Sequence, residues 1–439
     1  MGMRLAAAIL LAGGVTASGW AQQAQPAPPS APAVQASIGR YPALKTLVDR
    51  YVAEGKTNGI VVAIGEGSAP PTFLVAGTIA AEPGSEPAGP DSLWRVYSMT
   101  KPITAMAAMM LIEDGRMSLD QPVSDFIPAF KDMKVLTDPA NSLAARPAAR
   151  PITIRHLLTH TAGLGYTIVT KGPLLDEYNR LGIVPGQVDV KTEAEARKVR
   201  PATLQEFANR VAALPLIADP GTEWSYSIAL DVMGAVIEKA SGMTFDAFLQ
   251  KRIFGPLKMT STFWQVPAAD VGRLASNYAW VGDNRVPIDP AATSVYLQKP
   301  SFPYGGAGLV MSARDYDRFL QMLLNEGEVD GVRVMKPETV RLAMSNLLPP
   351  SVNFGGVGGN TGGDANPEQG YGAGGSVYLR DVPGGASKGT YGWGGAAGTV
   401  AWVDPVRKVR GTVMVNYFPS DKWPLRADVV KALYADHRP

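Results

Sequence analysis

Cysteine is absent from all 439 residues of this chain. That excludes disulfides, thiolate metal sites and cysteine nucleophiles, along with a lipid-modified cysteine behind a leader. Histidine is nearly as scarce, with only His156, His160 and His437. A hydrolase using imidazole as its base has few candidates here, so lysine or tyrosine is the more natural proton acceptor. An excess of one charge is missing too. The 41 Lys+Arg offset 39 Asp+Glu to a net +2, which makes no case for nucleic acid or another polyanionic partner. No apolar run reaches comfortable membrane-spanning length. Hydrophobic residues still form 46% of the chain, enough for one large packed domain or two intimate ones.

The N-terminus reads as a secretory leader. Arg4 supplies charge, residues 5–13 form a short apolar core, and small residues place cleavage near Ala21. An Ala-, Pro- and Gln-rich tether follows over 22–40, and the folded part is expected over 41–439. The mature protein is then expected to be exported, periplasmic in a Gram-negative cell, with no membrane span left once the leader is removed.

Apolar periodicity and turn residues predict a helix over 44–54, strands over 59–65 and 72–79, and an apolar helix from Ser98 to Gly115. Residues 165–200 are irregular and 353–375 are glycine-rich, so both read as loops. Helices are expected over 202–214, 228–240, 245–254, 313–325 and 337–347. Strands follow over 376–379, 397–403 and 408–415, then a closing helix over 425–436. Strands near both ends with helices between imply an α+β fold. One sheet is built from about 41–97 and 376–439, with a mainly helical insertion over about 98–375.

Ser98-Met99-Thr100-Lys101 carries the chemistry. A serine hydroxyl is a weak nucleophile until a neighbour takes its proton. Residues three apart on a helix share a face, so the Lys101 amine reaches the Ser98 oxygen. Alone, the motif is as compatible with a capping serine and a surface lysine. Tyr226-Ser227, before a helix, offers a phenol, and Gly392-Trp393-Gly394-Gly395-Ala396, beside a strand, admits close approach of a ligand or backbone. Two other patterns fail. Gly385-Ala386-Ser387-Lys388-Gly389 matches a nucleophile elbow, but Pro383 and Gly384 replace the strand before it and no helix can follow. His156 and His160 lack the glutamate and third ligand of a zinc motif, so both read as packing or hydrogen-bonding residues.

These motifs, in this order, resemble the class C β-lactamase and penicillin-binding superfamily of serine hydrolases. So do residues 154–164 and Gly305-Gly306-Ala307-Gly308-Leu309. The resemblance implies an antiparallel sheet with flanking helices and an active site between sheet and helical region. It also implies Ser98 as nucleophile, Lys101 and Tyr226 as proton-transfer groups, and Ser98 and Ala396 N–H groups as oxyanion donors. No metal or organic cofactor is implied. Two positions depart from class C enzymes. Ile228 replaces the Asn of Tyr-x-Asn, and Trp393-Gly394-Gly395 replaces Lys-Thr-Gly. Both substitutions remove polar anchors for an anionic, amide-bearing substrate. Tyr-Ser-Ile with Trp-Gly-Gly is closer to the family VIII carboxylesterases, which act mainly on esters of short acids. The expected activity is hydrolysis of a small ester, with Trp393, Gly394, Gly395 and Ile228 at the substrate. A β-lactamase or D-alanyl peptidase, or a catalytically silent cell-wall binding protein, are the alternatives.

Overall fold

The computed structural model describes residues 39–356 and 368–436. The expected leader, most of the tether, part of the glycine-rich loop and His437 lie outside the described residues. A seven-stranded antiparallel sheet organises the chain. Its strands are β1 (Gly59–Glu66), β2 (Thr72–Gly77), β3 (Gln369–Tyr371), β4 (Ser376–Tyr378), β5 (Tyr391–Gly394), β6 (Val400–Asp404) and β7 (Val409–Met414). The order is β3-β4-β5-β6-β7-β1-β2, so β1 from the N-terminal part pairs with β7, Val61 opposite Met414. The sheet is built from both ends of the chain.

The sequence of β1, Gly-Ile-Val-Val-Ala-Ile-Gly-Glu, is buried along almost its whole length because both faces of the sheet are covered. Ile60, Val62 and Ile64 pack against helices α1 (Pro42–Ala53) and α5 (Leu425–Asp436). Val61 and Ala63 point the other way, into the large core that holds the central helices. Two of those helices, α2 (Thr100–Glu113) and α3 (Ala229–Ser241), pack together under the sheet, and α4 (Ala313–Leu324) lies against β7. Every residue of α2 from Thr100 to Leu111 is buried. A helix apolar on all sides belongs inside a core, which is where α2 lies.

The structure corrects three sequence expectations. The stretch 165–200 holds two short helices, Pro173–Arg180 and Val190–Ala196. Proline at the first turn opens one, and the Asp189 side chain caps the other by accepting from Thr192 N. Both are too short for periodicity to reveal. The segment 353–375 is not all loop, because β3 forms the sheet edge against β4 through Gly370 and Val377. The strand expected over 397–403 begins only at Val400, because residues 395–399 form the turn that follows β5. That strand forms a hairpin with β6, Trp393 opposite Ala401.

Smaller sheets were not foreseen. Leu93–Arg95 pairs with Val310–Ser312, and Asn277–Val281 with Asn284–Asp289. No helix among the described residues is long and apolar enough to cross a membrane.

Candidate active site

Ser98 lies in a one-turn 3-10 helix, Tyr97–Met99, that runs straight into α2. The turn is strained at Tyr97, whose φ of +41° falls in the left-handed region that bulky side chains avoid. Packing holds that residue in place. Asn277 Nδ2 donates to the Tyr97 hydroxyl at 3.1 Å, and the ring packs edge-on against Phe418 at 5.5 Å. The turn follows directly on a buried ion pair between Arg95 and Asp289.

Three side chains meet at the Ser98 oxygen. Lys101, completely buried one helical turn later, donates from Nζ to Ser98 Oγ at 3.1 Å and to Gly306 O at 2.8 Å. The Tyr226 hydroxyl donates to Ser98 Oγ at 2.7 Å. Trp393, at the end of β5, brings its indole N–H to 3.4 Å from the Tyr226 oxygen. Two donors on one hydroxyl oxygen form an arrangement that favours its alkoxide.

Rings wall this cluster. Lys101 Nζ lies 4.6 Å from the Tyr226 ring centroid and 5.4 Å from that of Tyr166. Phe354 packs on Trp224 at 4.8 Å, and Tyr371 on Trp393 at 5.2 Å. Tyr166, Phe354 and Tyr371 come from the two stretches that read as loops. A buried-ring role leaves no periodic trace in such segments, and only the aromatic residues themselves hinted at it.

Asp231 is a further residue that sequence reasoning missed. It is fully buried on α3, five positions after Tyr226. Its Oδ1 accepts the Gly306 N–H at 2.8 Å, while the Gly306 carbonyl accepts from Lys101. One peptide group therefore links carboxylate and amine. Gly306 must lack a side chain, since a Cβ there would lie 2.5 Å from Asp231 Oδ2. Burial pushes the Asp231 carboxyl up to about 6, opposed by the Lys101 charge. The group is therefore negative above that pH. In Asp231→Asn that charge is gone. The inflection of kcat/KM at about pH 6 that Asp231 gives the wild type is expected to be absent from the variant, because the group that titrates there is gone. A pH–rate profile identical to wild type would remove Asp231 from the proton inventory.

The remaining candidates divide clearly. Gly395 sits so close to the Ser98 turn that a Cβ would lie 2.3 Å from Val96 O. Gly394 faces the Arg426 guanidinium instead. Ile228 is fully buried just before α3, and its N–H donates to Gly165 O at 3.1 Å. His160 lies beside the Tyr226 ring, centroids 5.0 Å apart, and its Nδ1 is 2.9 Å from Ser227 Oγ and accepts the Ser227 N–H at 3.2 Å. Burial and the Lys101 charge hold its imidazole well below the usual range, so it is neutral and steadies the Tyr226 turn. His156 Nδ1 accepts from Thr153 N in a capping box. Ser387 occupies a turn, with its N–H on Asp404 Oδ2 at 3.2 Å and no helix after it. Among the described residues no three His, Asp or Glu side chains gather as a metal ion would require.

Comparison with known proteins gives the family. A family model described as Beta-lactamase matches residues 44–435. The chain belongs to the beta-lactamase family. Within it, Protein Rv1367c of Mycobacterium tuberculosis is 35% identical over 338 residues, covering 75% of this chain and 78% of that protein. Esterase EstB of Burkholderia gladioli is 32% identical over 366 residues, covering 79% and 83%. Among solved structures, EstCE1, described as a hydrolase with promiscuous acyltransferase activity, superposes with a TM-score of 0.71 at 25% identity. The match covers 92% of this chain and all of that one. The antiparallel sheet with flanking helices is therefore the beta-lactamase fold, and the chain is a serine hydrolase of this family with esterase and acyltransferase relatives.

Proposed function

We propose that the protein is an exported esterase that cleaves carboxylic esters of short acyl chains through an acyl-enzyme on Ser98. The observation that carries this reading is the convergence of Lys101 and Tyr226 on Ser98 Oγ beside an indole. Trp393 stands where amide-cleaving relatives place a lysine, and Ile228 where they place an asparagine. The leader-like residues 1–21 support export.

Ser98 Oγ attacks the ester carbonyl as its proton passes to the Lys101–Tyr226 pair. The N–H groups of Ser98 and Ala396 hold the developing oxyanion, each contributing about 3–4 kcal/mol in the transition state. As the tetrahedral species collapses, the C–O bond to the alcohol breaks and Tyr226 protonates the departing oxygen. Water then enters, gives a proton to the same pair and attacks the acyl carbon. The acid leaves and Ser98 regains its proton. Trp393, Tyr371 and Phe354 make the wall apolar, which suits a compact hydrocarbon acyl group.

A second reading, transfer of the acyl group to an alcohol other than water, uses the same residues and is favoured by the ring-lined wall. EstCE1, the structural relative with promiscuous acyltransferase activity, supports it.

Rates with 4-nitrophenyl butyrate and with a chromogenic cephalosporin test the main reading. The expected result is ester turnover exceeding cephalosporin turnover by about 100-fold or more in kcat/KM, consistent with loss of two polar anchors. Strong cephalosporin hydrolysis with negligible ester hydrolysis would reverse it.

A further inference from the structure

The departures at Trp393 and Ile228 read, from sequence, as loss of any anchor for an anionic substrate. The C-terminal helix supplies a charge from elsewhere. Arg426 is the second residue of α5, and its guanidinium lies flat on Gly394. A Cβ at Gly394 would sit 2.6 Å from Cζ, 2.7 Å from Nη1 and 2.8 Å from Nη2. The guanidinium thus fills the space of the missing side chain in the strand that carries Trp393.

Its hydrogen bonding is incomplete. Nη2 donates to the Gly395 carbonyl, one residue before Ala396. Nε is buried without a partner, and Arg426 makes no ion pair among the described residues. The three buried arginines among the described residues are matched: Arg95 with Asp289, Arg200 with Glu193, Arg410 with Asp317. A guanidinium has five donors, and leaving them unfilled away from water is costly. Burial lowers the proton affinity of Arg426, opposed by Tyr417, Tyr226 and Asp421. A planar fork of donors is matched best by a carboxylate.

We propose that Arg426 is an anion-binding subsite that takes a carboxylate on the alcohol portion of the ester. The side follows from the geometry, given the esterase reading on which this inference rests. The alcohol departs toward Tyr226, and Trp393 and Gly394 lie on that flank. The substrate class is therefore the ester of a hydroxy acid, with an apolar acyl group and an anionic leaving group.

The test compares 3-acetoxybenzoate with 3-acetoxybenzamide, esters with the same acyl group whose leaving phenols differ in charge. Comparing the ratio of their kcat/KM values between wild type and Arg426→Gln cancels intrinsic reactivity. The ratio is expected to fall by about ten- to a hundredfold, through KM for the anionic ester, as for loss of a hydrogen bond to a charged group. Arg426→Lys should restore part of it. Calorimetric binding of the products 3-hydroxybenzoate and 3-hydroxybenzamide to wild-type protein decides the matter without a variant. Tighter binding of the benzoate, weakening as salt rises, supports the subsite. Equal binding of the two phenols, or a ratio within about twofold of wild type in folded Arg426→Gln, overturns it. If neither ester shows Ser98-dependent turnover, the esterase reading fails, and the calorimetry still decides the anion site.

Discussion

Ser98→Ala is expected to lower esterase kcat by at least about 10⁴-fold in protein that folds normally, and Lys101→Ala by a comparable factor. The double variant should be no worse than either single one. Nucleophile and proton acceptor act as one unit, so removing the second after the first removes little. Lys101 is held in place by Gly306 O as well as by Ser98 Oγ, so Ser98→Ala leaves the amine anchored. Steady-state rates, with thermal unfolding as the folding control, check this. Multiplicative losses in the double variant would mean that the two residues serve different steps, and retained activity in Ser98→Ala would end the acyl-enzyme mechanism.

Asp289→Ala is expected to give the largest loss of stability. Arg95 and Asp289 are essentially unexposed, and the carboxylate accepts from Arg95 Nε at 2.8 Å, Ser294 Oγ at 2.7 Å and Val295 N at 2.9 Å. Removing the acid strands a buried guanidinium, which costs about 3–5 kcal/mol. That is a large part of the margin of an ordinary domain. The consequence reaches catalysis because Arg95 stands three residues before Ser98, on the strand that leads into the strained Tyr97 turn. A drop of several degrees in Tm and a lower kcat are expected, with Asp289→Asn in between because it keeps acceptors for part of the network. A Tm within about one degree of wild type would show that the pair is dispensable.

Much of the fold was legible because the relevant signals are local. The uniformly apolar run of β1, the helical spacing after Ser98 and the closing helix at Leu425–Asp436 each follow from side chains within one segment. Ser98, Lys101, Tyr226 and Trp393 were legible as motifs, and the structure brings all four together. What stayed hidden lacked a local pattern. The helices Pro173–Arg180 and Val190–Ala196 are too short to show a period, and β3 is three residues amid glycines. Asp231 has no motif of its own, and its tie to Lys101 runs through the peptide of Gly306, 75 residues away.

The sequence alone brought a hydroxyl and an amine within reach of each other, because one helical turn links Ser98 to Lys101, and the Tyr226 and Trp393 motifs then singled the pair out. It also excluded cysteine chemistry outright. Only the tertiary structure decided which distant groups govern that pair. Asp231 reaches Lys101 through the Gly306 peptide, and Arg426 reaches the third motif across the sheet face. The reason is electrostatic. A charge acts through space and through the water excluded around it, and neither quantity is written in the order of residues along a chain.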